Sequence, residues 1–293
     1  MFSSRKLVEK GLEIYEIFSD NDITAKFIPG RGGMLTEYSM GDVPLFYLDS
    51  STLYDSAQNV RGGNPVLFPI CGPLENGRYS LNNGREYEMK QHGLARNLPW
   101  QAEEPECLRD SARIKLSLES NEKTRKIYPF DFRLEFAYFI TEGTITIEQK
   151  YINGSDTDMP FYAGFHPYFY APGVRAVKLH IPAARYDDIK TGETKVFRGT
   201  PDFSAVPETN LVFGGLQANE AWFDRSDGFR VTVRYDDAYR YIVLWVLRDR
   251  EFLCLEPWMG SNYDMNRGRA VRVKPGHEYR AVVSYSFREK RNL

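Results

Sequence analysis

Only four histidines occur in the 293 residues, so few side chains are suited to moving protons near neutral pH. His166 lies in FYAGFHPYFY (161–170), an imidazole among aromatic rings, with Gly164 before it and Pro167 after it. The proline biases it toward extended backbone. It reads either as a core histidine with a satisfied hydrogen bond or as an acid–base group at a strand end facing a lined pocket. Glu256 closes the apolar run of EFLCLEPWMG, directly before Pro257-Trp258. Glutamate is rarely buried without a partner or a task. An apolar setting raises its pKa toward the range of a general base, whereas a surface strand end would leave it ordinary. His92, in KQHGLARNLPW, is followed by Gly93, which permits close approach of backbone or ligand; an exposed loop histidine is the alternative. Arg61, at the head of RGGNPVLFPICGPLENG, and Arg96 and Arg78 are guanidinium groups able to grip hydroxyls or a phosphate with two parallel hydrogen bonds.

Other chemistries find less support. His180 shares the expected solvent face of its strand with Lys178, and His277 follows Pro-Gly in a turn. His92, His166 and Glu256 could hold zinc as a His₂Glu set, but they come from distant segments without paired-ligand spacing, so no metal is expected. There is no GxGxxG opening a helix, no GxxxxGK[ST] and no HExxH. No nucleotide or other cofactor is expected.

The elements that must position these residues are strands. ARIKLSLES places Ile114, Leu116 and Leu118 on one face; FRVTVRY does so with Phe229, Val231, Val233 and Tyr235, and EYRAVVSYSF with Tyr279, Ala281, Val283, Tyr285 and Phe287. DFRLEFAYFI and GTITIEQKYI read as a hairpin turning near Thr141-Glu142-Gly143. Turn signals recur at 82–84 (NNG), 153–155 (NGS), 226–228 (SDG) and 274–276 (KPG). Short helical pieces are expected at most, at 3–12 or 51–60. No linker or repeat divides the chain, and the triplets RGG at 31–33 and 61–63 have unlike neighbours. The expectation is all-β: one domain over residues 1–293, a large antiparallel β-sandwich.

A net charge of −2 without charge blocks removes the footprint of a nucleic-acid binder, and no apolar run reaches the ~18 residues of a membrane span. The first residues lack an apolar signal-peptide core. Three widely spaced cysteines, Cys71, Cys107 and Cys254, suggest neither a disulfide framework nor a zinc ribbon. A reducing, cytoplasmic setting is the simplest expectation.

Taken in order, RGGNPVLFP, QHGLAR, GFHPYF and LCLEPW resemble the motifs of the aldose 1-epimerase (galactose mutarotase-like) superfamily, from about Arg31 to the strand ending at Phe287. The resemblance implies a supersandwich fold and interconversion of the α and β anomers of an aldose. It implies that His166 protonates the ring oxygen, Glu256 takes the proton of the C1 hydroxyl, and His92 hydrogen-bonds near the ring oxygen. Arg61 is similar to the family's substrate-binding arginine, and Glu220, in NEAWF, falls near a family aspartate that grips sugar hydroxyls. The sequence departs from the free-sugar mutarotases after the His-x-Tyr-Phe core, continuing Tyr170-Ala171, and RGGNPVLFP is more similar to the hexose-6-phosphate epimerase branch. There, Arg61 and Arg96 would bind phosphate. The implied partner is a small sugar or sugar phosphate, met by a monomer or homodimer. A non-catalytic sugar-binding protein on the same scaffold is the alternative. A glycoside hydrolase would need two facing carboxylates, and only Glu256 has a strong setting.

Overall fold

A computed structural model describes residues 1–81 and 84–290; Asn82 and Asn83, in the expected turn at 82–84, lie outside the described residues. Among those described, every ladder between strands is antiparallel. A nine-stranded sheet includes Ala112–Glu119, Phe132–Thr141, Thr144–Asn153, Glu278–Glu289, Phe229–Tyr235, Glu220–Asp224 and Lys178–His180. An eight-stranded sheet includes Arg185–Asp188, Glu208–Gly214, Tyr241–Leu247, Phe252–Trp258, Gly164–Phe165 and Val66–Leu67. Tyr168–Tyr170 also pairs with Phe252–Trp258.

The alternation in sequence is the alternation in burial. Ala112, Ile114, Leu116 and Leu118 point inward, as do Ala281, Val283, Tyr285 and Phe287, because successive side chains of a strand leave on opposite faces. The inner faces of the two sheets meet through rings: Phe136 lies 6.0 Å from Phe165, and Phe169 lies 5.3 Å from Tyr285. A five-stranded sheet built from residues 2–44 adds Phe27 to this core against Tyr138, 5.1 Å away. The hairpin at 132–153 turns on two residues, Glu142 and Gly143, since Thr141 pairs with Thr144.

The helical expectations were partly wrong. Residues 3–12 fall in the strand Phe2–Glu9 and the turn after it, with Phe2 opposite Ser19. This edge strand exposes most of its side chains, so it carries no apolar alternation that sequence could show. Of 51–60 only 51–53 are helical, the end of the short helix Ser50–Leu53, which is capped by Asp49 accepting from the Ser51 N–H. A second helix, Glu122–Ile127, was not anticipated. Its signal is the reciprocal cap of Asn121 and Thr124.

Phe136 is buried among Trp100, Tyr151 and Phe165. Phe136→Ala should lower unfolding free energy by about 3–5 kcal/mol. Val8→Ala, at a side chain that is 72% exposed, should stay within about 0.5 kcal/mol. Urea denaturation of both variants checks the pair; equal effects would contradict this packing.

Candidate active site

The central strand Phe252–Trp258 is buried along its whole length. Val243 of the neighbouring strand lies opposite Glu256 on one side. On the other side Gly164 pairs with Trp258 and Tyr168 pairs with Cys254. These two pairings are in one register, so the intervening step sets His166 across from Glu256. The ladder is interrupted at that step, where Pro167 has no N–H to give. The His166 N–H instead donates to Pro65 O at 3.0 Å. The interruption leaves the imidazole beside the carboxylate, with Nε2 3.4 Å from Glu256 Oε1. The flanking aromatics hold the ring: Tyr168 stacks on it at 4.7 Å and Trp245 meets it edge-on at 5.6 Å.

His92 arrives from a loop. Its backbone has φ +66°, a left-handed conformation uncommon for a non-glycine residue. Two hydrogen bonds with Gly72 fix it: the His92 N–H donates to Gly72 O at 2.9 Å, and the Gly72 N–H donates to Nδ1 at 3.1 Å. With Nδ1 accepting, the neutral ring carries its proton on Nε2. Gln91 Nε2 stands 3.0 Å from that nitrogen, and turning the amide over would bring its oxygen to the N–H as acceptor. The close approach foreseen at Gly93 is to backbone: at φ +71°, a Cβ there would lie 2.3 Å from Phe68 O. Arg96 follows on a 3₁₀ turn and donates to Gln91 O at 3.3 Å, while its buried Nε has no partner among the described residues.

The triplet RGG at 31–33 serves this same region. Arg31 donates to the carbonyls of Thr52, Leu53, Asp55 and Gln58, clamping the loop that leads to Arg61. Gly32 lies under Arg96, whose carbonyl would be 2.3 Å from a Cβ. Sequence offered no reason to connect the two triplets. The structure makes the first a support for arginines on both loops.

Asn59, Arg61, Gln91, His92, Arg96, His166, Tyr168, Glu208, Asn210, Trp245, Glu256 and Trp258 line one cavity of about 290 Å³. Five of the six expected site residues are therefore together. Glu220 is not: it lies on the nine-stranded sheet and pairs with Arg234 at 2.6 Å. The further carboxylate in the cavity is Glu208, which the sequence reading missed. It accepts from Trp245 Nε1 at 2.9 Å and meets Lys190 at 2.6 Å. The period-two pattern of ETNLVFG, with Glu208 and Asn210 on the face opposite Leu211 and Phe213, could have found it. His180 stacks on Trp222, His277 is exposed in its turn, and Arg78 pairs with Glu86 and Glu88; none of them lines the cavity.

Burial sets the charge states. It pushes the Glu256 carboxyl well above the usual carboxylate range, against smaller opposing effects of the Trp258 N–H and Arg96. Burial, with Arg96 nearby, pushes His166 down to about 3. Burial, then His166 and Arg96, also push His92 well below the usual range. Both directions favour the neutral forms, a protonated Glu256 carboxyl against a neutral His166 ring. Glu208 differs. Burial alone would raise its pKa, but Lys190 and the Trp245 N–H outweigh it and favour the carboxylate.

The chain is thus an antiparallel sandwich with an imidazole–carboxyl pair in a small polar cavity, and comparison with known proteins gives its family. The chain belongs to the aldose 1-epimerase family, whose sequence profile matches residues 14–286; it is an isomerase of the mutarotase kind. The solved structure of the Slr1438 protein from Synechocystis sp. PCC 6803 is 35% identical, with TM-score 0.91, covering 94% of this chain and 96% of that one. A galactose mutarotase-like protein from Clostridium acetobutylicum shares the fold at 17% identity, with TM-score 0.82 and 99% of both chains covered. A protein of Escherichia coli K12 named "Putative glucose-6-phosphate 1-epimerase" is 26% identical over 214 residues, 73% of this chain and 66% of that protein.

The raised Glu256 pKa has a measurable sign. An unfolded glutamate ionises near pH 4.3, so the native state holds its proton longer. The stability linked to this group is fully present below that pH and is lost as pH rises through the folded value. Glu256→Gln, which cannot ionise, should gain on the wild type between pH 5 and pH 9, by up to about 1.4 kcal/mol per unit of pKa elevation. Denaturant titrations at the two pH values check this, and a pH-independent difference would contradict it.

Proposed function

We propose that this pocket opens and recloses the pyranose ring of a hexose 6-phosphate, with Glu256 as base and His166 as acid. The observation that carries the substrate reading is a pair of guanidinium groups at the cavity without carboxylate partners. Arg61 makes no side-chain hydrogen bond or ion pair among the described residues, and Arg96 reaches only the Gln91 carbonyl. Charge-assisted bonds from arginine to phosphate are strong and geometrically specific. The name of the Escherichia coli relative points the same way.

The reaction needs little more than the pair. In the reactive protonation state Glu256 is a carboxylate and His166 an imidazolium, with the same total proton count as in the free protein. Glu256 takes the proton of the C1 hydroxyl as His166 gives one to the ring oxygen, and the C1–O5 bond breaks. The aldehyde turns about C1–C2 and recloses on its other face, and each proton returns. Both reacting oxygens are bonded to C1, so an acid and a base in mutual contact can serve them together. The His92 Nε2–H supports the ring-oxygen side, and the Glu208 carboxylate and the Asn210 amide bind hydroxyls. Because one proton serves the pair, the rate should fall when the pair gains a second proton or loses its only one.

NMR saturation transfer between anomers tests this with glucose 6-phosphate, galactose 6-phosphate, glucose and galactose. Exchange should exceed the uncatalysed rate and fall about 10²–10⁴-fold in His166→Asn and in Glu256→Gln. Full activity in either variant would overturn the acid–base assignment. Arg61→Ala and Arg96→Ala should weaken kcat/KM for the phosphorylated sugar by about 10–100-fold, the value of a charge-assisted hydrogen bond, and that for the free sugar far less. Equal losses on both would reject the phosphate reading. The kcat/KM profile should be bell-shaped, with an acid limb that falls only toward about pH 3, where His166 gains a proton, and an acid limb centred between pH 6 and 7 would count against this pair.

A further inference from the structure

The sequence reading considered zinc on His92, His166 and Glu256. The structure brings a different third residue to the other two. Cys254 lies two residues before Glu256 on the same strand, hence on the same face. His166, Cys254 and Glu256 are all buried, and one donor atom from each lies within 4.8 Å of the others. The side chains of His166 and Glu256 open onto the cavity, while Cys254 sits just behind, under Tyr168, Trp245 and Phe252.

Two of these groups are short of partners. His166 Nδ1 is buried with no hydrogen bond among the described residues. The Cys254 thiol makes no hydrogen bond among them either, although Cys71, the other buried cysteine, finds the carbonyls of Ala163 and Gly260. Unsatisfied buried polar atoms are uncommon in native proteins and call for an explanation such as catalysis or an ion.

We propose that His166, Cys254 and Glu256 form a binding site for a thiophilic divalent cation, Zn²⁺ foremost, whose occupancy blocks the cavity. A sulfur, an imidazole nitrogen and a carboxylate oxygen are a donor set for zinc rather than for magnesium or calcium. Zinc bonds of about 2.0–2.3 Å in tetrahedral geometry put ligand atoms about 3.3–3.8 Å apart, so a pair at the 4.8 Å limit needs to close by about 1–1.5 Å. The fourth position faces the cavity and takes water. On binding, the thiol proton leaves to solvent as the S–Zn bond forms, and any carboxyl proton leaves with it. The occupied site removes the base and the acid from the reaction at once, so the ion acts as an inhibitor competing with sugar. The metal site itself does not depend on which sugar is turned over.

The test uses the full chain with Zn²⁺ or Co²⁺ alone. Co²⁺ added to the wild type should produce a near-ultraviolet thiolate-to-cobalt charge-transfer band that Zn²⁺ abolishes. Cys254→Ala and Cys254→Val should lack the band, keep anomer exchange within about twofold, and need at least about 100-fold more Zn²⁺ for inhibition, beyond the usual 10–100-fold cost of losing even an outer-sphere partner. Chelation should restore wild-type exchange. Absence of the cobalt band in the wild type overturns the proposal without any variant. Undiminished zinc sensitivity in the cysteine variants overturns it as well. The cobalt readout involves no sugar, so its failure is separable from failure of the epimerase reading.

Discussion

A carboxyl and an imidazole set side by side out of water are the constraint to which the rest of the molecule answers. Transferring either as an ion into the interior costs several kcal/mol, and Glu256 and His166 are both buried. The cost is kept low by holding one proton between two neutral partners. In the proposed reaction a single proton shift turns the same pair into a base beside an acid. Tyr168, Trp245 and Trp258 wall the pair: Tyr168 and Trp245 meet the His166 ring, and Trp258, on the strand of Glu256, donates to its carboxyl.

The proposed acid–base pair and the proposed phosphate ligands come from different parts of the fold. His166 and Glu256 sit on adjacent segments of a sheet whose inner face is packed against a second sheet through tilted and edge-on rings, so their separation is set by register. The arginines come from loops. Arg31 and Gly32 tie those loops down through backbone carbonyls. Substitutions in those loops can therefore change the arginines while the His166–Glu256 pair stays in place.

The fold and the centre of the site were legible because their signals are local. Alternation in ARIKLSLES and EYRAVVSYSF gave strands and their buried faces, and Glu256 at the end of an apolar run gave a carboxylate that needed a task. Strand pairing was not legible. The opposition of His166 and Glu256 rests on a shared register across about ninety positions of sequence. Glu220 was named through the family resemblance and Glu208 was not considered; both begin short alternating strands, and only the sheet assignment separates them. Phe2–Glu9 was misjudged because an exposed edge strand lacks an apolar face. The Arg31 clamp works through backbone carbonyls, which leave no trace in side-chain pattern. Cys254 went unread beside Glu256 although the i, i+2 spacing was present.

The central claim is that the pair keeps one proton and that His166 stays neutral in the free protein. The most direct measurement is ¹⁵N NMR of the His166 ring, assigned with His166→Asn, across a pH titration. The account predicts neutral-imidazole shifts from pH 8 down to pH 5, with protonation only toward about pH 3. Protonation of His166 between pH 6 and 7, as for an imidazole in water, would contradict it.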